Sequence, residues 1–178
     1  MKIIFCRHHS ICEPGILKSL PRLGHDVIEF MNDREPQDYD KDYMIRLATL
    51  IQQTTDVCAI LSVCFSPIIA RASKPFGIPY ISYTVDSPCS TLYSKTMEYP
   101  HNRLFLFDKL QLDKFRHRNP GNCFHTLLAC DIEHFDNVTV SDADMKKYGT
   151  DVSFVGSLYS EKNSYDNISN KLPAYMRG

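Results

Sequence analysis

The sequence predicts an α/β fold, a Rossmann-like, doubly wound parallel sheet. Three observations predict it. Short apolar runs alternate along the chain with stretches that carry apolar residues at helical spacing. One run, residues 57–63 (VCAILSV), is almost continuously apolar, the pattern of a strand covered on both faces. Gly24 and Gly77 fall where a helical pattern gives way to a strand pattern, the place for a glycine that ends a helix. Parallel neighbours need crossover connections, so six strands alternating with helices before residue 130 imply helices on both faces.

In chain order, residues 2–6 form the first strand, and Ile16, Leu17, Leu20 and Leu23 mark a helix that Gly24 closes. The second strand spans 26–31, and the polar stretch 32–40, with Pro36, is a loop. Ile45, Leu47, Ala48, Leu50 and Ile51 make 42–53 an amphipathic helix. After the third strand at 57–63, Ser66 is placed to cap a helix with Pro67 at its first position, stopping near Gly77. The remaining strands are expected at 78–85, 103–107 and 123–129, with helical segments at 91–97 and 109–116. Residues 141–149 read as a charged helix and hinge region, with Ser141 as cap and Asp144 at the third position; 152–155 reads as a seventh strand.

A chain of 178 residues with 43% hydrophobic and 23% charged residues can build a core under an ordinary soluble surface. A formal net charge of -1 gives no long-range attraction to nucleic acid or anionic lipid. No stretch reaches the roughly 18 apolar residues of a transmembrane segment, and 1–5 is too short for a signal peptide, so the expected location is cytoplasmic. Seven scattered cysteines without a C-x-x-C pair read as reduced thiols, mostly buried.

Ligands of open α/β sheets collect beyond the carboxyl ends of the strands, which selects three loops. The first, Arg7-His8-His9-Ser10-Ile11-Cys12-Glu13-Pro14-Gly15, is neither the G-x-G-x-x-G fingerprint nor a Walker motif, which argues against a nicotinamide cofactor. Its C-x-H-H-x-x-C spacing matches no common zinc pattern, so no metal is assigned. The second loop carries Asp86-Ser87-Pro88-Cys89-Ser90. Asp86 is placed to accept a ligand hydroxyl, but Asp-Ser-Pro is equally good turn and capping chemistry. A Cys89 or Ser90 nucleophile would need a base that the sequence does not identify. In the third, Asp108 is open between capping a helix and touching a ligand. His125 lies inside a strand pattern and reads as a core histidine. Tyr80, Tyr83, Tyr93 and Tyr99 line a sugar-stacking cleft or pack beneath one.

The run Ile78-Pro79-Tyr80-Ile81-Ser82-Tyr83-Thr84-Val85-Asp86-Ser87-Pro88, followed by Leu92-Tyr93-Ser94-Lys95-Thr96, resembles the N-terminal domain of bacterial spore-maturation-type glycosyltransferases. Ser10-Ile11-Cys12-Glu13-Pro14 and Phe105-Leu106-Phe107-Asp108 are similar to segments of the same family, and the likeness spans essentially the whole chain. The segment 129–135 resembles the "G-V-D-x-x-x-F" piece that ends the first domain of GT-B transferases, with Ala129 and Cys130 replacing its glycine and valine. Residues 152–163 resemble the first strand and loop of a GT-B second domain, with Ser157 where many relatives carry arginine.

The resemblance implies the N-terminal half of a GT-B architecture: residues 1–150 an acceptor-side domain, and 151–178 the start of a truncated donor-binding domain. It implies sugar transfer from a nucleotide sugar to a glycan, cell-surface or protein acceptor, without a cofactor, by a chain inactive on its own. Asp86 would be the catalytic residue, positioning or deprotonating the acceptor hydroxyl. His8, His9, Glu13, Ser87, Tyr93 and Asp108 would bind the acceptor, and Gly156, Ser157 and Lys162 the donor. An uncovered cleft face would favour self-association. The alternative is a non-catalytic binding or regulatory module on a flavodoxin-like fold.

Overall fold

Alternate residues of the first strand serve opposite sides of the sheet, and this sets up two cores. In β1 (Lys2–Arg7), Ile4 and Cys6 face one way and Ile3 and Phe5 the other, all of them buried. The computed structural model describes residues 1–32, 39–156 and 173. β2 (Asp26–Met31), β3 (Val57–Val63), β4 (Tyr80–Thr84), β5 (Asn102–Leu106) and β6 (Cys123–His125) complete a six-stranded, all-parallel sheet of order β2-β1-β3-β4-β5-β6. The fold is α/β, consistent with the Rossmann-like doubly wound class.

The strand order explains where the helices lie. The chain moves outward from β1 to β2, returns past β1 to β3, and then continues in one direction. Right-handed crossovers put connections on opposite faces when the direction of travel reverses. Accordingly α1 (Glu13–Arg22) packs Ile16, Leu17 and Leu20 on the Ile3, Phe5, Leu61 and Val63 face. The other connections share the opposite face. There α2 (Lys41–Gln53) contributes Tyr43, Leu47 and Ile51, spaced four apart, α3 (Pro67–Ser73) contributes Ile68 and Ile69, and α4 (Lys109–Phe115) contributes Leu112 and Phe115. Asp40 caps α2 by accepting the Tyr43 N–H at 2.9 Å.

Several elements differ from expectation for local reasons. Pro14 fits the first turn of α1, so this helix begins before Ile16. Ser66 makes no side-chain cap on α3; its backbone N–H donates to the Tyr80 hydroxyl at 2.8 Å. Residues 91–97 form two 3-10 turns, Ser90–Tyr93 and Lys95–Glu98, because Ser94 is extended and its hydroxyl bonds to Thr96. β6 ends at His125, where β5 stops offering partners; beyond it the Tyr83 hydroxyl donates to Leu127 O and accepts the Ala129 N–H. The expected loop over 32–40 lies mostly outside the described residues.

The chain divides into two units, Met1–Ile132 and Glu133–Gly178. A single turn, α5 (Ile132–Phe135), falls at the division. In the second unit α6 (Asp142–Tyr148) carries the expected capping box: Ser141 Oγ accepts the Asp144 N–H at 3.2 Å, and Asp144 Oδ2 accepts the Ser141 N–H at 3.0 Å. The seventh strand does not form. Val152, Phe154 and Val155 are almost fully exposed, and none of the described residues pairs with them. No helix among the described residues is long and apolar enough to cross a membrane.

Candidate functional site at the sheet's carboxyl edge

Where consecutive connections leave a parallel sheet on opposite faces, their loops part and open a crevice. Here that point lies between β1 and β3. The loop after β1 leads to α1 on one face, and the loop after β3 leads to α3 on the other. Both walls hold strained backbone. His9, two residues past β1, has φ 61°, and Cys64, directly past β3, has φ 57°. Left-handed conformation costs a non-glycine residue about 1–2 kcal/mol, and such residues cluster at ligand sites.

The first wall is organised by Glu13, whose side chain is buried. Its carboxylate accepts the Arg7 Nε–H at 3.1 Å and the His8 N–H at 2.6 Å. Arg7 also bonds to Glu29 on neighbouring β2. Glu13 therefore faces inward and shapes the loop. His8 turns inward as well, its ring 6.1 Å from that of Tyr43. His9 is exposed at the mouth. Cys6 is fully buried in β1, and burial pushes its thiol up to about 12.

The second wall is held from below by Tyr80, which has no exposed surface. Its hydroxyl accepts the Ser66 N–H and shares a 2.6 Å hydrogen bond with Ser62 Oγ. Burial, ahead of the opposing hydrogen bonds from Ser62 and Ser66, holds this phenol above its ordinary range. Asp86, exposed in the loop after β4, reaches back one strand and accepts the Cys64 thiol hydrogen at 3.2 Å. This contact brings the carboxylate to the crevice.

Gln111 and Asp108 tie the loop after β4 to α4. Buried Gln111 accepts the Cys89 N–H at 2.7 Å and donates Nε2–H to the Asp86 carbonyl at 3.1 Å. Asp108 Oδ1 caps α4 at Leu110 and Gln111, while Oδ2 accepts the Ser87 hydroxyl. The Ser87 hydrogen bond, ahead of the amides, holds the Asp108 carboxyl below its usual range. Asp108 thus caps a helix and fixes the Ser87 side chain at once. The exposed Tyr93 ring packs edge-on to Phe115 at 5.0 Å, with its hydroxyl accepting from Lys114.

Of the site residues expected from sequence, Asp86, Ser87 and Asp108 are brought together. His8, His9 and Glu13 form the other wall, two strand spacings from β4, about 10 Å. Tyr93 lies to the side, over α4. Gly156 is exposed in the second unit; Ser157 and Lys162 lie outside the described residues. Of the two places expected for Tyr80, lining a cleft or packing beneath it, the structure shows the second; sequence reasoning missed Gln111 as a clamp, and Cys64. The only sequence signal for Cys64 was its place directly after the apolar third strand. Beside this network lies a cavity of about 290 Å³ lined by Tyr39, Arg71, Ser90, Thr91, Ser94 and Lys95. It excludes Asp86 but shares the Thr91 end of the loop. No family model, curated protein or solved structure matches the chain.

Proposed function

We propose that this chain binds a hydroxyl-rich ligand, the saccharide acceptor of a glycosyl transfer, in the crevice between the loops after β1 and β3. The observation that carries this reading is Asp86. An exposed carboxylate stands at the carboxyl end of the sheet, held through Cys64 against a crevice whose two walls are both backbone-strained. A carboxylate there accepts a hydrogen bond from a sugar hydroxyl and can take its proton as the hydroxyl attacks an anomeric carbon. Ser87, fixed by Asp108, offers a further hydroxyl. Support also comes from the sequence resemblance to glycosyltransferases, in whose architecture the donor sugar nucleotide sits on a second domain.

The test is saturation-transfer NMR with neutral disaccharides at millimolar concentration. Binding is expected, and Asp86→Asn should weaken it about 10–100-fold, the worth of a charge-assisted hydrogen bond. Absence of binding, or an unchanged Asp86→Asn affinity, removes the reading. One observation favours a non-catalytic alternative. The order β2-β1-β3-β4-β5 is that of flavodoxin-like domains, which hold a nucleotide cofactor at the same crevice. Tight binding of flavin mononucleotide without saccharide binding would select that alternative.

A further inference from the structure

Beside the crevice lies chemistry that the acceptor reading leaves unused. The cavity of about 290 Å³ is lined, among the described residues, by two cations, Arg71 and Lys95, by the hydroxyls of Ser90, Thr91 and Ser94, and by the Tyr39 phenol, with no carboxylate and no purely apolar side chain. Its walls are fixed in advance of any ligand. Arg71, half-buried near the end of α3, sets its guanidinium over the Tyr39 ring, 4.5 Å from the centroid, which holds the planar fork in place. The 3-10 turns that carry the other groups are rooted in the core by Leu92 and Met97, neither of which is exposed. Arg118 ties the same turns down, donating to Leu92 O at 3.0 Å and Ser94 O at 3.3 Å while Glu98 meets its charge at 2.6 Å. The Thr91 hydroxyl hydrogen goes to Phe65 O at 2.6 Å, so Thr91 Oγ1 is left as an acceptor. By contrast, neither the Lys95 ammonium nor the Ser90 hydroxyl has a partner among the described residues, and Glu98, on the same turn as Lys95, is already taken by Arg118.

We infer that this cavity is an anion site, which holds the phosphate group of a small phosphate monoester such as a sugar phosphate. Arg71 and Lys95 meet the two negative charges of the phosphate, the guanidinium through paired N–H donors and the ammonium as a point charge. The Ser90 hydroxyl donates to a remaining phosphate oxygen. At roughly 30 Å³ for each water, a cavity of about 290 Å³ takes on the order of ten water-sized groups, more than a bare phosphate fills. The rest suits a polar body of about monosaccharide size, since the lining is polar throughout and Thr91 Oγ1 is free to accept from a sugar hydroxyl. The site goes beyond the acceptor reading and stands without it, because Asp86 is not part of the lining and no proton transfer is asked of the cavity.

The test is amide shift mapping on the isotope-labelled whole chain with three probes: glucose 6-phosphate, glucose and inorganic phosphate. Glucose 6-phosphate is expected to bind saturably and to shift residues 71 and 90–95, more tightly than inorganic phosphate and with an affinity that falls as salt is added. Glucose at the same concentration should leave those residues unshifted. Lys95 is exposed, so Lys95→Gln leaves the fold in place; it should weaken glucose 6-phosphate about 10-fold, the worth of one charge-assisted hydrogen bond, and Lys95→Arg should restore most of the loss. Arg71→Gln, with its circular dichroism unchanged, should weaken binding by at least as much. No binding at about 10 mM, or an unchanged Lys95→Gln affinity, overturns the inference. Equal affinity for inorganic phosphate and glucose 6-phosphate also overturns it, leaving an adventitious ion only. Shifts confined to residues 8–10 and 64–66 would overturn it too, while supporting the acceptor crevice instead.

Discussion

Replacing Glu13 by alanine tests whether the loop after β1 is built on a buried carboxylate. The side chain is about 1% exposed and receives two charge-assisted hydrogen bonds, from Arg7 Nε and the His8 amide. Bonds of this kind contribute about 1.5–3 kcal/mol each when their partners are desolvated. Arg7 is one-fifth exposed and keeps Glu29, so the charge left behind is not stranded. The loss therefore sits at the low end of the range for breaking a buried pair, about 3 kcal/mol. The His8 amide, left without its acceptor, supplies most of it. Urea unfolding followed by circular dichroism should show a lower midpoint at unchanged slope, and the melting temperature should fall by roughly 6–12 °C. Amide exchange should accelerate first at residues 8–12. A loss below about 0.5 kcal/mol, the range of ordinary surface changes, would refute the reasoning.

Four other outcomes follow from the same geometry. Tyr80→Phe orphans the Ser66 amide, leaves the Ser62 hydroxyl with only its bond to the Cys64 carbonyl among the described residues, and should cost about 1–3 kcal/mol in urea unfolding. Tyr43→Phe removes a buried hydroxyl that has no hydrogen-bond partner among the described residues and should cost under about 1 kcal/mol; equal losses would contradict the contrast. Gln111→Leu removes the clamp on Cys89 and Asp86, so amide exchange should quicken across 86–90 while β1 is unchanged. His101 donates Nε2–H to Ala70 O, and burial, ahead of the opposing hydrogen bond, holds its pKa below 6.5. The unfolded chain then binds more protons as pH falls below 6.5, so stability declines toward acid pH. His101→Gln should flatten that slope in pH-dependent melting curves.

Much of the fold was legible because it depends on pattern. The run VCAILSV is the third strand to the residue, 26–31 is the second, and Ser141 with Asp144 makes the expected capping box. The misses share a cause: each needed a partner from elsewhere in the chain. Residues 152–155 have strand-like composition but no described neighbour to complete a ladder, and the sixth strand stopped where β5 did. Ser66 had capping chemistry, yet its side chain makes no cap, and the tie that spacing does not reveal is its backbone amide's bond to the Tyr80 hydroxyl. The site was legible in outline, since Asp86, Ser87 and Asp108 do meet at the sheet's carboxyl edge. What held them did not show. Gln111 is one polar residue in an amphipathic helix, and Tyr80 reads as an aromatic in or beneath a cleft, without the bonds its hydroxyl makes. The burial of Glu13 follows from Arg7 folding over it, a contact that spacing alone does not reveal.

The crevice between β1 and β3 as the ligand site is tested most directly by amide shift mapping on the isotope-labelled chain during a disaccharide titration. The account predicts shifts concentrated at residues 8–10, 64–66 and 86–89, the strained walls and the Asp86 loop. Shifts confined to the opposite ends of the strands, around Thr55, Gly77 and Asn122, would contradict it.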